Sequence, residues 1–266
     1  MGKEQEAPKE LQWQALLEKA LTEPGMISRA FSQFHSYSVG NQMLALVQCG
    51  MRGIAPGPIA TYGKWKELGR HVVKGSKAIM LCMPVTVKGR KPVRDENGEE
   101  HDEDFAFTKF VFRNNWFVLA QTDGAEYKPE PIPGWQKSKA LEALKIEEKP
   151  FESFSGNTLG YARQREVTVS PLADMPERTL LHEIAHVVLG HTEENPMNDD
   201  GRTPKNLREI EAESVALICC EVLGLPGAEY SRGYIQNWAN GAKSIPEKSA
   251  QKIFKAADSI LKAGRI

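Results

Sequence analysis

The sequence predicts an α+β fold in two parts. An N-terminal α+β domain with a β-hairpin-containing sheet is expected over 1–125, and a mainly helical C-terminal domain over 126–266. Three observations carry this expectation. Two strand-like stretches, 78–87 and 104–112, flank a charged loop. A passage rich in Gly and Pro follows at 122–134, with the composition of a domain boundary. Beyond it, apolar residues recur at helical spacing through most of the chain.

Taken in order, 11–21 reads as a helix carrying Leu11, Ala15, Leu16 and Leu17, ended by Pro24 and Gly25. A second helical stretch passes through Ile27, Phe31 and Phe34 and runs on to Gly50. Residues 61–69 form a short helix stopped by Gly69, and 70–77 turn into the first long strand. Its partner at 104–112 alternates apolar and polar residues, and 116–120 continues the sheet. The loop between them is basic, then acidic, and is expected to be the mobile tip of a hairpin. In the second part, 138–144 is a short helix, 160–170 a hairpin-like strand segment, and 230–240 and 244–262 are closing helices.

Composition excludes several classes. The chain has 266 residues, 41% hydrophobic and 26% charged, the balance of a soluble globular protein. Its apolar runs are far short of a membrane span, so no membrane partner is expected. The polar N-terminus has no signal-peptide core. Cys49, Cys82, Cys219 and Cys220 form no disulfide or metal pattern. A cytoplasmic setting follows as an expectation. The net charge of −1 hides an asymmetry: between 11 and 94, twelve Lys and Arg face three acids, a net +9. A basic segment of that size points to a polyanion.

The most specific chemistry lies in His182-Glu183-Ile184-Ala185-His186. Helix positions four apart share a face, so both imidazoles can reach one metal ion. Glu183 is then placed as general base toward a water in the open coordination position. Leu180, Leu181, Ile184, Val187 and Val188 surround the motif, so the helix is buried and its polar residues need partners. The following helix carries Glu209 and Glu213, again four apart. Glu209 would be the third ligand, and Glu213 would hold the second ring nitrogen of a ligating histidine. The bland alternatives are a hydrogen-bonded core histidine and a solvated acidic face. His191 follows Gly190 but is five residues past His186, where a three-histidine motif would need six, so it reads as a support behind the ligands or a surface residue. Two imidazoles and a carboxylate suit Zn2+, and the same donors accommodate Mn2+ or Co2+. Tyr161, Tyr230 and Tyr234 are candidate donors to a tetrahedral oxyanion.

Single-stranded nucleic acid is bound by a basic groove with aromatic faces for stacking. Lys64, Lys66, Arg70, Lys74 and Lys77 lie around Tyr62 and Trp65 in the sequence, and Trp65 between two lysines is the preferred stacker. Arg29, His35, Tyr37 and Asn41 are further candidates. Phe31, Phe34 and Phe110 read as core packing instead.

Two sets of motifs, in this order, resemble the ArdC antirestriction family of conjugative elements. The first comprises Tyr37-Ser-Val-Gly-Asn41 and the run from Ala60 through Tyr62, Trp65 and Gly69 to Ala78. The second comprises His182 to His186, Glu209 with Glu213, and Tyr234-Ile-Gln-Asn-Trp238. The family commonly has Tyr-x-Gly-x-Asn, whereas this chain reads Tyr37-Ser-Val-Gly-Asn41, with the glycine one position later. The resemblance implies a single-stranded-DNA-binding N-terminal domain and a zincin-like metallopeptidase C-terminal domain, and on a first reading the DNA-binding domain brings the peptidase to a protein on or near DNA. Two alternatives stay open: a DNA-coating protein with a dormant metal site, and a cytoplasmic metallopeptidase whose basic part binds protein.

Overall fold

The computed structural model describes residues 8–94, 100–152, 158–193, 204–239 and 244–266, and shows an α+β protein. Three N-terminal helices, α1 (Trp13–Thr22), α2 (Met26–Phe34) and α3 (Val39–Arg52), precede the first sheet. That sheet has the order β1-β4-β3, with β1 at Ile59–Thr61, β3 at Ile79–Arg94 and β4 at Glu100–Val118. Between β1 and β3 lie α4 (Tyr62–Glu67) and β2 (Arg70–Val72), and β2 pairs with β5 (Thr122–Gly124). The C-terminal part holds α5 (Lys137–Leu144), then β6 (Glu147–Glu148), β7 (Gly160–Arg163) and β8 (Glu166–Val169) in the order β6-β8-β7. Four helices close the chain: α6 (Pro176–Val188), α7 (Lys205–Leu223), α8 (Ala228–Ala239) and α9 (Glu247–Ala263).

The hairpin is longer than its sequence pattern suggested. The antiparallel ladder runs unbroken from Met80↔Asn114 to Arg94↔Glu100. The two stretches expected at 104–112 and 116–120 are one strand up to Val118, with a bulge at Asn115 where the ladder shifts register between Ile79↔Trp116 and Met80↔Asn114. The expected mobile tip, 95–99, lies outside the described residues. The helical stretch expected from Ile27 to Gly50 is two helices. The break at 35–38 ends at Ser38, whose extended backbone starts α3.

α3 carries β3 on two side-chain amides. Asn41 donates to Cys82 O and accepts from Cys82 N, both at 2.8 Å. Gln48 donates to Met80 O at 2.7 Å and accepts from Met80 N at 2.9 Å. Seven residues are two helical turns, so the two amides share a face and satisfy alternate residues of the strand edge that β4 leaves open. Gly40 allows close packing here, because a Cβ would stand 2.7 Å from Trp13 Cζ3.

The parts expected at 1–125 and 126–266 meet through one shared core. Leu16, Leu17 and Ile27 belong to the same buried cluster as Ile184, Leu217 and Ile260. Polar contacts reinforce the junction. Glu247 accepts from Trp13 N at 3.0 Å and Gln14 N at 2.7 Å, capping α1 with a carboxylate from α9. Buried Arg232 donates to Leu21 O and pairs with Glu221. Among the described residues, no helix is long and apolar enough to cross a membrane.

Candidate metal centre

α6 begins with Pro176, whose missing N–H costs nothing at a helix start. Its apolar residues Leu181, Ile184 and Ala185 are buried, so the helix is fixed in roll and its polar face meets α7. There His182 Nε2 and His186 Nε2 stand 3.1 Å apart, and Glu209 Oε2 is 3.5 Å from each. Ligand atoms at about 2.0–2.1 Å from one tetrahedral cation stand roughly 3.3–3.4 Å apart. The triangle therefore fits one divalent cation with a fourth position open. His182, His186 and Glu209 are the one such group among the described residues.

The charges agree with that use. Hydrogen bonds to both histidines hold the Glu209 carboxyl below its usual range, outweighing burial. Burial would raise Glu213, but His182, Arg178 and Ser231 bring it down to about 2. Burial likewise works against a charged His182, yet Glu209 and Glu213 raise it to about 9. His182 Nδ1 lies 3.0 Å from Glu213 Oε2, close enough for an ionic contact but without the alignment of a hydrogen bond. The residue expected to hold a ligating histidine is thus beside one. Arg178 locks it from behind, donating to Glu213 and, at 3.1 Å, to Ser231 Oγ. The guanidinium also lies under the Tyr230 ring, 4.6 Å from its centroid.

Glu183 is 7% exposed, and burial raises its pKa above the usual carboxylate range. It lies against β7, where a Cβ on Gly160 would come within 3.0 Å of Glu183 Oε1. Since strand residues alternate, Tyr161 points away from the face that Gly160 turns to α6. Tyr230 and Tyr234, four apart on α8, are exposed on one helix face. Burial first, and then the charges of Glu209 and Glu213, raise the Tyr234 pKa, which puts its phenol within reach of the site's field.

His191 is a buried support behind the ligands rather than a surface residue. The helix ends with Gly190 at φ +78, Gly190 N donating to Val187 O and His191 N to His186 O. This left-handed turn folds the chain back so that His191 lies beside His186. Its other neighbour is Glu211. Sequence reasoning did not pick Glu211, Arg178 or Ser231. Glu211 is two residues from each site glutamate, off their shared face, and Arg178 and Ser231 follow no motif.

The residues expected to bind DNA divide into two groups. Tyr62, Lys64, Lys66, Lys74 and Lys77 are exposed, with Lys64 paired to Glu67 at 3.1 Å. Four others are engaged inside the fold, which corrects the expectation for them. Trp65 is 1% exposed, donates from Nε1 to Phe117 O at 2.8 Å and meets Tyr127 edge-on, so it offers no face to a base. Its helix turns the ring inward while Lys64 and Lys66 point out. Tyr37 donates to Ile59 O, Asn41 grips Cys82, and the Arg70 guanidinium binds the backbone at Thr122 and Ala125. Phe110, expected in the core, is 64% exposed on the hairpin. Phe107 is exposed as well, and it stacks with Phe105 at 6.0 Å and 11°. Odd residues of β4 share a face, so this pair lies in line with Lys109 and Arg113.

Residues 3–112 match a family model described as the N-terminal domain of anti-restriction factor ArdC. This part of the chain is thus similar to the ArdC N-terminal domain. Two crystal structures of the antirestriction protein ArdC from plasmid R388 are similar to the whole chain. The metal-free structure is 21% identical, with 94% of each chain covered and a TM-score of 0.47. The Mn(II)-bound structure is 19% identical, covers 94% of this chain and 97% of the other, and has a TM-score of 0.49. No curated protein matches. The ArdC-type part thus comprises α1–α3, the hairpin and α4, and the candidate metal centre lies beyond it.

Proposed function

We propose that this protein belongs to the ArdC family and is a zinc-dependent peptidase that binds single-stranded DNA through its N-terminal part. The observation that carries the reading is the ligand triangle of His182, His186 and Glu209 with buried Glu183 beside it. A structural metal site has no use for a general base. A divalent cation bound there supplies Lewis acidity, acidifying a water and polarising a carbonyl. Glu183, its basicity raised by burial, takes the proton from the attacking water and returns it to the leaving amine. Arg178 and Glu213 keep His182 in place. The phenol of Tyr234, exposed on α8, is the candidate donor to the oxyanion. The donor set of two imidazoles and one carboxylate favours zinc, and manganese and cobalt also suit it.

DNA binding is supported by the match of residues 3–112 to the ArdC N-terminal domain and by the aromatic–cation face of the hairpin, Phe105, Phe107, Lys109 and Arg113. A DNA-bound protein is then the natural substrate class, in a cytoplasmic setting. The test is cleavage of a DNA-binding protein, with and without single-stranded DNA, by wild type and Glu183→Gln. DNA-stimulated cleavage lost in the variant is expected. Equal cleavage by both proteins would refute the peptidase assignment.

A further inference from the structure

His186 faces the ligand triangle through Nε2, and its other ring nitrogen is also engaged. Nδ1 lies 3.1 Å from His191 Nδ1, and His191 Nε2 lies 2.9 Å from Glu211 Oε2. The two supporting side chains are closed off from water, with His191 2% and Glu211 1% exposed. One arrangement of protons satisfies all three groups. A carboxylate only accepts, so His191 carries its proton on Nε2. Its Nδ1 then presents a lone pair, and His186 must donate to it from Nδ1. That leaves His186 Nε2 bare, the form in which an imidazole binds a cation.

We infer that Glu211 and His191 are positioning residues that set the tautomer and ring orientation of His186 from two side chains away. The inference rests on the metal-centre part of the function proposed above and on neither the peptidase nor the DNA-binding part. The local fold is built for it. The left-handed Gly190 and the His191 N to His186 O bond at 2.9 Å bring the second imidazole behind the first. α7 then serves the two ligands separately: Glu213 with Arg178 stands behind His182, and Glu211 with His191 stands behind His186. An outer partner that fixes a ligand's proton typically contributes 10- to 100-fold to metal affinity.

The test is a Zn2+ titration of the metal-free full-length chain, in competition with a chromophoric chelator. Wild type is compared with His191→Leu, His191→Asn and Glu211→Gln, each checked for folding by circular dichroism. His191→Leu keeps the bulk and loses the acceptor, and zinc binding about 10- to 100-fold weaker is expected. Asparagine places Oδ1 where Nδ1 stood and still accepts from His186, so His191→Asn should bind within about threefold of wild type. Glu211→Gln removes the charge that dictates the proton position, and it should bind more weakly than wild type. Unchanged affinity in His191→Leu and Glu211→Gln would overturn the inference while leaving the metal centre intact. His191→Asn as weak as His191→Leu would also overturn it, since packing would then account for the effect. If His191→Leu does not fold, nitrogen-15 spectra of the wild-type histidines decide: protonation of His186 at Nδ1 and His191 at Nε2 supports the relay, and the reverse tautomers refute it. A wild type that binds no zinc would remove the metal centre itself, a result distinct from these.

Discussion

His182 Nδ1 stands 3.0 Å from Glu213 Oε2, deep between α6 and α7. In the metal-free protein this contact and Glu209 make His182 a cation over most of the accessible pH range, with a pKa of about 9. A cation arriving at Nε2 must displace that proton. Zinc uptake near pH 7 is therefore expected to release about one proton from His182, falling toward none above pH 9. Calorimetric titrations in two buffers of different ionisation enthalpy measure the number. No proton release at pH 7 would contradict the placement of His182.

The same groups set the pH dependence of metal-free stability. The folded pKa of His182 lies above its ordinary 6.5, so its contribution is full below that value and is lost as pH rises through about 9. Glu213, depressed to about 2, and Glu209, also depressed, contribute above the ordinary 4.5 and lose that contribution as pH falls through their folded values. The melting temperature of the metal-free chain should thus fall on both sides of a plateau between about pH 5 and 6.5. In the zinc-loaded chain the decline toward pH 9 should disappear, because His182 no longer carries the proton.

Glu183→Gln separates binding from chemistry. The side chain is no ligand in the triangle, so zinc affinity should stay within a few-fold while peptide hydrolysis falls by at least about 100-fold, the usual worth of a general base. Glu209→Ala should do the reverse at the first step, removing a ligand and the metal with it. Metal content by atomic absorption and hydrolysis of a fluorogenic peptide read out both.

Much of this centre was legible because a helix converts spacing into geometry. His182, His186 and the Glu209–Glu213 pair each lie four apart, and the fold brings them together as that spacing implies. His191 and Glu211 were not legible as a pair, because a turn and a second helix bring them together and neither leaves a periodic trace. The α+β class could be read from the strand patterns and helical periods. The hairpin's full length could not, since Lys88 to Glu103 is a run of charged residues with Gly and Pro that carries no apolar alternation. Lysine spacing around Trp65 suggested a stacking face, but a short helix turns its middle residue inward as readily as outward. Asn41 read as a candidate DNA contact because its backbone partner, Cys82, lies forty-one positions away.

The nucleic-acid surface should follow the stacked Phe105–Phe107 pair on the hairpin and not Trp65. Phe105→Ala with Phe107→Ala is expected to weaken single-stranded DNA binding by about 1–3 kcal/mol per stacked base lost, with little change in salt dependence. Trp65→Ala should instead lower stability by about 3–5 kcal/mol, the usual cost of emptying a buried aromatic site. Fluorescence anisotropy with oligonucleotides, alongside thermal melts, distinguishes the two effects. Wild-type affinity in the double phenylalanine variant would remove the hairpin from the interface.

Gly160 should control the general base without touching the metal. A methyl group there would stand 3.0 Å from Glu183 Oε1 and 2.8 Å from Thr179 Cγ2, with Thr168 O at 3.0 Å closing the other side. The strand backbone cannot retreat without disturbing its pairing with Val169, so Thr179 and Glu183 on α6 are the groups that must give, and the carboxylate, at the end of the longer side chain, moves most easily. His182 and His186 face α7, and their positions depend on α6 as a whole. Gly160→Ala should therefore leave zinc affinity within a few-fold of wild type. Turnover should fall by about 100-fold, the order expected when a reacting group is displaced by roughly 1 Å. Zinc titration and peptide hydrolysis on the same preparation decide the matter. Turnover at the wild-type rate would mean that Glu183 does not work from the position pressed against β7.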